Sequence, residues 1–266
     1  MNLLTIIDQY LHEDVMIAFS GGVDSTLLLK MAVEASKNYH THVYAVTIQT
    51  ALHSVMEADE AKRIVEELGA IHKVIHVDEL EGAGIENNPV DRCYLCKKYM
   101  FTKVKELAHS LGIFTILEGT NADDLKQYRP GIKAIQELGL HSPLLEANMT
   151  KKEIRELAAA YGLKAANKPS SPCLATRFPY HTLLNYEEMR KVEKIEDYLH
   201  ACGFYNVRAR IHNDLVRLEV DQDAFMKCMD YSQEIVLFIK ELGYDYVTLD
   251  LEGFRSGSQD IKLEEK

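Results

Sequence analysis

One stretch of the chain, Phe19-Ser20-Gly21-Gly22-Val23-Asp24-Ser25, puts two glycines, two hydroxyls and a carboxylate within seven residues. Apolar Val15 to Phe19 before it reads as a buried strand, and Leu27, Leu28, Met31, Ala32 and Ala35 after it recur at helical spacing. Glycines at a strand-to-helix turn let successive N–H groups converge on an anion, and the new helix adds its positive end. Ser20 and Ser25 add hydroxyl donors, and Asp24 is placed to hold Mg2+ or to order the loop. The lysine that contacts the β- and γ-phosphates in the common ATP loop is missing. An ordinary glycine-rich turn is the competing reading, and the flanking serines and the acid weigh against it.

Three further groups carry chemistry. Cys93-Tyr94-Leu95-Cys96 is a C-x-x-C pair at the start of a helical pattern, and Cys173 follows in a Pro- and Ser-rich loop, 167–180. The spacing leaves several readings open. They are a buried structural pair, a zinc site short of a convincing fourth ligand, a Cys96–Cys173 disulfide formed during turnover, and a 4Fe–4S cluster on three thiolates with one iron open to sulfide. Glu118, Asp123 and Asp124 form an acid-rich run at a strand's carboxyl end. They suit Mg2+ beside phosphates, or a solvated loop. Arg208 and Arg210 alternate along a strand and so share one face. Two such guanidiniums suit a phosphate or carboxylate, or a salt-bridged surface strand. Cys202 and Cys228 fall on apolar helix faces and read as core. The histidines show no paired ligand spacing.

Elements must position these groups. Strands at 15–19, 42–48, 71–77 and 114–117 alternate with helices at 54–68 and 93–111. That rhythm predicts an α/β fold, a parallel sheet with helices on both faces and right-handed crossovers. Ligands of such sheets sit beyond the carboxyl ends of the strands, where Ser20-Gly21-Gly22 lies. A helix at 2–11 precedes them, a loop at 78–91 and a turn at Tyr128-Arg129-Pro130-Gly131 interrupt them, and Thr150 with Glu153 predicts a capped helix to Tyr161. From Tyr186 the pattern becomes helix, two strands joined by His212-Asn213-Asp214, one helix over 225–242 and a strand at 246–251. This is a small α+β domain, followed by a frayed tail. The expected domains are therefore 1–180 and 181–266.

At 266 residues, with 47% hydrophobic and 27% charged content, the chain is of soluble globular type. No apolar run approaches a bilayer span and no signal sequence opens it, so a cytoplasmic protein with no membrane partner is expected. Five cysteines are too few and too odd a number for a disulfide framework. From Tyr186 onward 11 Lys/Arg face 18 Asp/Glu, and before it 19 face 23, nets of −7 and −4 within a total of −11. Neither part looks like a polyanion-binding surface, so no nucleic-acid partner is expected.

The loop resembles the PP-loop of ATP pyrophosphatases (adenine nucleotide alpha hydrolase-like), which cut ATP between the α- and β-phosphates. Over nearly its whole length the chain looks like one such family, the LarE-type sulfur transferases of nickel-pincer nucleotide biosynthesis. The resemblance rests on Ser20 to Ser25, Glu118-Gly119-Thr120-Asn121, Tyr128 to Gly131, and Pro172-Cys173 through Arg177-Phe178-Pro179-Tyr180. Val207-Arg208-Ala209-Arg210 with His212-Asn213-Asp214, and Gly253-Phe254-Arg255-Ser256-Gly257, complete it. It implies adenylation of a carboxylate of pyridinium-3,5-biscarboxylic acid mononucleotide by ATP with Mg2+, followed by replacement of the activated oxygen with sulfur.

Two sulfur sources occur in the family: a single sacrificial cysteine at the Cys173 position, or a 4Fe–4S cluster on three cysteines, matched here by Cys93, Cys96 and Cys173. The resemblance places Gly119 and Asp123 with Ser20, Gly21, Gly22, Asp24 and Ser25 at the nucleotide, and Cys173, Asp24 and Arg177 in the chemistry. Arg208 and Arg210, with Arg255, fall to the substrate phosphate. The small domain then serves substrate binding and homo-oligomer formation, and the sulfide donor is unidentified. His181 departs from the pattern, which has glycine after Phe-Pro-Tyr. A tRNA thiolase needs a basic surface, an ammonia-using ligase needs no three cysteines, and a non-enzymatic nucleotide-binding or iron–sulfur carrier would release no pyrophosphate.

Overall fold

The computed structural model describes residues 2–50, 52, 55–126, 129–167 and 172–255. Tyr128, Ser256 and Gly257, to which the sequence reading gave roles, lie outside them, as do Ser54, the expected helix start, and the tail. Packing divides the chain into two units, residues 1–85 with 91–170, and residues 86–90 with 171–266. Cys173 and Arg177 thus fall in the second unit.

The first unit is built on four parallel strands in the order β3-β2-β1-β4. These are β1 (Val15–Ala18), β2 (Val43–Gln49), β3 (Ile71–His76) and β4 (Thr115–Leu117). Val15 lies opposite both Val43 and Thr115. Side chains alternate across the sheet, and so the core divides in two. Val15, Ile17, Ala45 and Leu117 join Leu27, Leu28 and Ile154 from the helices Val23–Ser36 and Lys151–Ala160. Met16, Val46 and Ile116 join Phe101, Val104 and Ile135 from the helices Arg92–Ser110 and Gly131–Leu138. Helices therefore cover both faces. The capping box holds, with Thr150 and Glu153 each bonded to the other's backbone. The helix Gly131–Leu138, which the sequence reading passed over as a turn, ends at Gly139 in the left-handed region, φ 71°.

The second unit has β5 (Val207–His212), β6 (Leu215–Val220) and β7 (Tyr246–Leu249), with β5 and β6 antiparallel and β6 and β7 parallel. Asn213 turns the hairpin at φ 58°. Met189, Val192, Ile195 and Leu199 of the helix Tyr186–Ala201 are buried, as are Val207, Ala209 and Ile211. The single helix expected over 225–242 is two, Phe225–Asp230 and Ser232–Glu241, because Tyr231 leaves helical geometry at φ −92°, ψ 10°. The expected loop 78–91 contains a short helix, Glu79–Gly82. Its end packs with the second unit through Asn88, whose side chain donates to the carbonyls of Phe178 (3.0 Å) and Pro179 (2.7 Å). No helix among the described residues is long and apolar enough to cross a membrane.

Candidate active site

In the first unit β1 stops at Ala18, Phe19 still bonds to Val46 of β2 (2.8 Å), and the chain then turns into the helix Val23–Ser36. Gly21 has φ 71°, a conformation that costs a residue with a Cβ about 1–2 kcal/mol. Gly22 caps the helix without a side chain of its own, and its N–H makes only a long bond to Ser20 Oγ (3.4 Å). The two serines hold the loop in shape. Ser20 Oγ and Ser25 Oγ are 3.2 Å apart, Ser20 N donates to Ser25 Oγ, and Ser25 Oγ donates to the Gly22 carbonyl.

β4 delivers the second strand end. A Cβ on Gly119 would stand 3.2 Å from Asp24 Cβ and 3.3 Å from Ser25 N, so glycine lets this segment lie against the phosphate loop. Asn121 Nδ2 then donates to Asp24 Oδ1 (3.1 Å). The acids behave unequally. Glu118 is buried and turns inward to Thr120 N (3.1 Å), Thr120 Oγ1 (2.7 Å) and Ser142 Oγ. Asp123 pairs with Lys126 and accepts from Lys151 N (2.8 Å), contacts that lower its pKa, while Asp124 meets Arg129 at 3.2 Å.

Lys151 is the residue that the sequence reading missed. Its ammonium pairs with Asp24 Oδ2 across 127 positions of sequence. The capping box marked its helix, but nothing in local spacing shows which loop that helix start will face.

Cys93 and Cys96 stand in the first turns of the helix Arg92–Ser110, half-buried and outside any disulfide. Three residues apart, they share a helix face. Close by in sequence, Lys97 lies across Gly131, where a Cβ would meet its side chain at 2.5 Å. Within either unit, among the described residues, no three His, Cys, Asp or Glu side chains gather as metal ligands.

In the second unit Cys173 precedes a short 3-10 turn, Leu174–Arg177. Its carbonyl accepts from Thr176 N (3.1 Å) and Thr176 Oγ1 (2.9 Å). Arg177 is 3% exposed. It binds Glu196 through Nε (2.8 Å) and one terminal nitrogen (2.7 Å), and the other reaches the Pro172 carbonyl (3.0 Å) and Thr176 Oγ1 (2.7 Å). Burial alone would lower the pKa of Arg177 and raise that of Glu196. Their mutual attraction outweighs it, so Arg177 shifts up and Glu196 down. The Cys173 turn is thus held by a buried bidentate ion pair.

Arg208 and Arg210 are also buried, so the alternative of a salt-bridged surface strand does not hold. Strand β5 is covered on both sides, which period-2 spacing cannot reveal. Arg210 grips Glu219 with two bonds of 3.1 Å and donates to the Thr176 carbonyl, giving the Cys173 turn a second tether. Arg208 lies over the Phe254 ring, 5.0 Å from its centre. Burial first, then repulsion from Arg177 and Arg210, brings its pKa down to about 10, against the opposing pull of Glu196 and Glu219. Arg255 contacts Glu252 (2.6 Å) and Asp250 (3.4 Å) and borders a pocket with Asp221 and Asp223. His181 has φ 64°, so the position where the family pattern has glycine is one that glycine occupies without strain.

The model of the PP-loop domain family matches residues 1–171. Along 94% of its length the chain is 39% identical to the pyridinium-3,5-bisthiocarboxylic acid mononucleotide synthase of Lactiplantibacillus plantarum, covering 90% of that protein. It is 36% identical over 91% of its length to an uncharacterized protein of Synechocystis, covering 90% of it. The U34-tRNA thiolase NcsA from Methanococcus maripaludis, solved with its [4Fe-4S] cluster, superposes with a TM-score of 0.50 at 20% identity, over 74% of this chain and 73% of that one, and so shares the fold. The full-length match, together with the glycine turn after β1 and the close approach of Gly119, places the chain in the PP-loop superfamily, as a member of the LarE-type family of ATP-dependent sulfur transferases to which the Lactiplantibacillus synthase belongs.

Proposed function

We propose that the protein thiolates a carboxylate of pyridinium-3,5-biscarboxylic acid mononucleotide at the expense of ATP. The observation that carries this reading is the match to the Lactiplantibacillus synthase along 94% of the chain, which takes in both units. A carboxylate resists nucleophiles, and AMP makes it a substrate for them. The carboxylate oxygen attacks the α-phosphorus, an O–P bond forms and pyrophosphate leaves. Hydrosulfide then attacks the carbonyl carbon, the C–S bond forms, the C–O bond to AMP breaks and a proton is released. The amides of Gly21 and Gly22 and the helix start hold the β- and γ-phosphates, and Asp24 supports Mg2+.

The thiols of Cys93, Cys96 and Cys173 fit an iron–sulfur cluster by donor chemistry, being three half-buried soft ligands outside any disulfide. A cluster held by them would supply a sulfide to the activated carboxylate without consuming protein sulfur. Arg177 orients the Cys173 turn. The mononucleotide phosphate falls to Arg208 and Arg210, with Arg255 assisting. Arg208 lies buried close enough to Arg177 and Arg210 to be repelled by both, and a bound phosphate would offset that repulsion. The enzyme works as a cytoplasmic homo-oligomer.

The test is turnover with ATP, sulfide and the dicarboxylate mononucleotide in anaerobically purified protein, with iron analysis. The expected outcome is AMP and pyrophosphate formed only with that substrate, and a product with one oxygen replaced by sulfur. Each of Cys93→Ala, Cys96→Ala and Cys173→Ala should lose iron and product. Full activity in the first two, with Cys173 converted to dehydroalanine after one event, would replace the cluster by the sacrificial mechanism. Thiolation of tRNA instead of the mononucleotide would overturn the substrate assignment.

A further inference from the structure

Lys151 is a cation at a loop whose sequence has none. Asp24, in the first turn of the helix that begins at Val23, has both carboxylate oxygens engaged, Oδ1 by Asn121 Nδ2 (3.1 Å) and Oδ2 by the Lys151 ammonium. The backbone of Lys151 is fixed. Its N–H donates to Asp123 Oδ2 (2.8 Å), and its helix is closed by the Thr150–Glu153 capping box. The side chain alone can move, and it is 37% exposed. The neighbouring acids are committed elsewhere: Asp123 to Lys126, Asp124 to Arg129, and Glu118 to the hydroxyls of Thr120 and Ser142.

We propose that Lys151 is a resident counter-ion. In the nucleotide-free protein its ammonium occupies the place on Asp24 that a divalent cation needs, and a bound polyphosphate draws Lys151 away and hands Asp24 to the metal. The inference rests on the reading of this loop as an ATP site. Charge supports the exchange. A partly exposed lysine–carboxylate contact is weak and exchangeable. An ammonium beside the carboxylate repels a second cation, whereas a nucleotide triphosphate attracts both. Metal therefore enters with the nucleotide and not before it. Lysine's flexible stem and point charge suit a group that must change partners, where a planar guanidinium would lock onto one.

Mn2+ is the probe, its binding to the whole protein read by electron paramagnetic resonance and calorimetry with no turnover involved. Wild-type protein without nucleotide should lack a tight Mn2+ site. Lys151→Met should gain one, tightening Mn2+ by about tenfold or more, and the added substitution Asp24→Asn should remove it again. An ATP analogue with a methylene between the α- and β-phosphorus should bind Lys151→Met about tenfold more weakly than wild type. Lys151→Arg, which keeps the charge, should leave nucleotide-free Mn2+ binding at the wild-type level and guards against a folding defect in Lys151→Met. If nucleotide binds wild type normally but Lys151→Met and wild type bind Mn2+ alike in its absence, the counter-ion role is overturned and the ATP site stands. If the wild type binds no nucleotide, the ATP reading itself falls.

Discussion

The phosphate loop and the Cys173 turn hold their charges in opposite ways. Around the phosphate loop the ion pairs are open to water: Lys151 and Asp24 are 37% and 19% exposed, and Lys126 and Asp123 are 71% and 33%. Around Cys173 they are sealed: Arg177 and Glu196 are 3% and 10% exposed, and Arg210 and Glu219 are 9% and 0%. Water-screened pairs contribute little and exchange readily, which suits a site that must admit a highly charged nucleotide and release pyrophosphate. Sealed pairs gain little over an apolar core, but losing one partner strands the other charge. They suit a turn that must keep one conformation.

The strongest way to break this contrast is Glu196→Ala. It leaves Arg177 buried without its carboxylate, and the second unit should lose about 3–5 kcal/mol, read by urea unfolding. The same pair has an acid signature. The pKa of Glu196 is depressed in the fold against a reference near 4.3, so its contribution is complete above that reference value and is lost as pH falls through the lower folded value. Wild-type stability should therefore decline on acidification below about pH 4, and Glu196→Ala should remove that part of the decline. A loss at neutral pH no larger than that of a surface substitution would mean that the pair is not sealed.

Arg208→Ala comes next. It should weaken binding of the mononucleotide by about tenfold or more and leave ATP affinity unchanged, measured by calorimetry with each ligand. Unchanged mononucleotide affinity would make Arg208 part of the scaffold, stacked on Phe254. The smallest effect is expected from Lys126→Ala, which breaks an open pair beside the phosphate loop. Its thermal midpoint should match wild type at both low and high salt, and a clear drop would show that the first unit's pairs are structural after all.

Much of this was legible in the sequence because it is local. The helix at Lys151–Ala160 follows from a cap and a box, the turn at Gly21 from a backbone that only glycine enters cheaply, and strands β1 to β4 from short apolar or alternating runs between helices. The helix Gly131–Leu138 was hidden behind a Tyr-Arg-Pro-Gly turn signal, and the break at Tyr231 behind an unbroken apolar stripe. Cys93, Cys96, Cys173 and the arginines stand out as candidates by residue type and spacing, because thiols can ligate soft metals and guanidiniums can bind anions.

What a side chain meets is another matter. Period-2 spacing puts Arg208 and Arg210 on one face, but only packing decided that the face is buried and that Glu219 pairs with Arg210 there. The sequence shows no lysine at the phosphate loop, and the fold brings one from 127 positions away. Local conformation is set by each residue's own steric and hydrogen-bonding preferences over a few neighbours. Charge pairing and burial depend on which distant segments the sheet and its crossovers bring together, and those were decided by the tertiary structure.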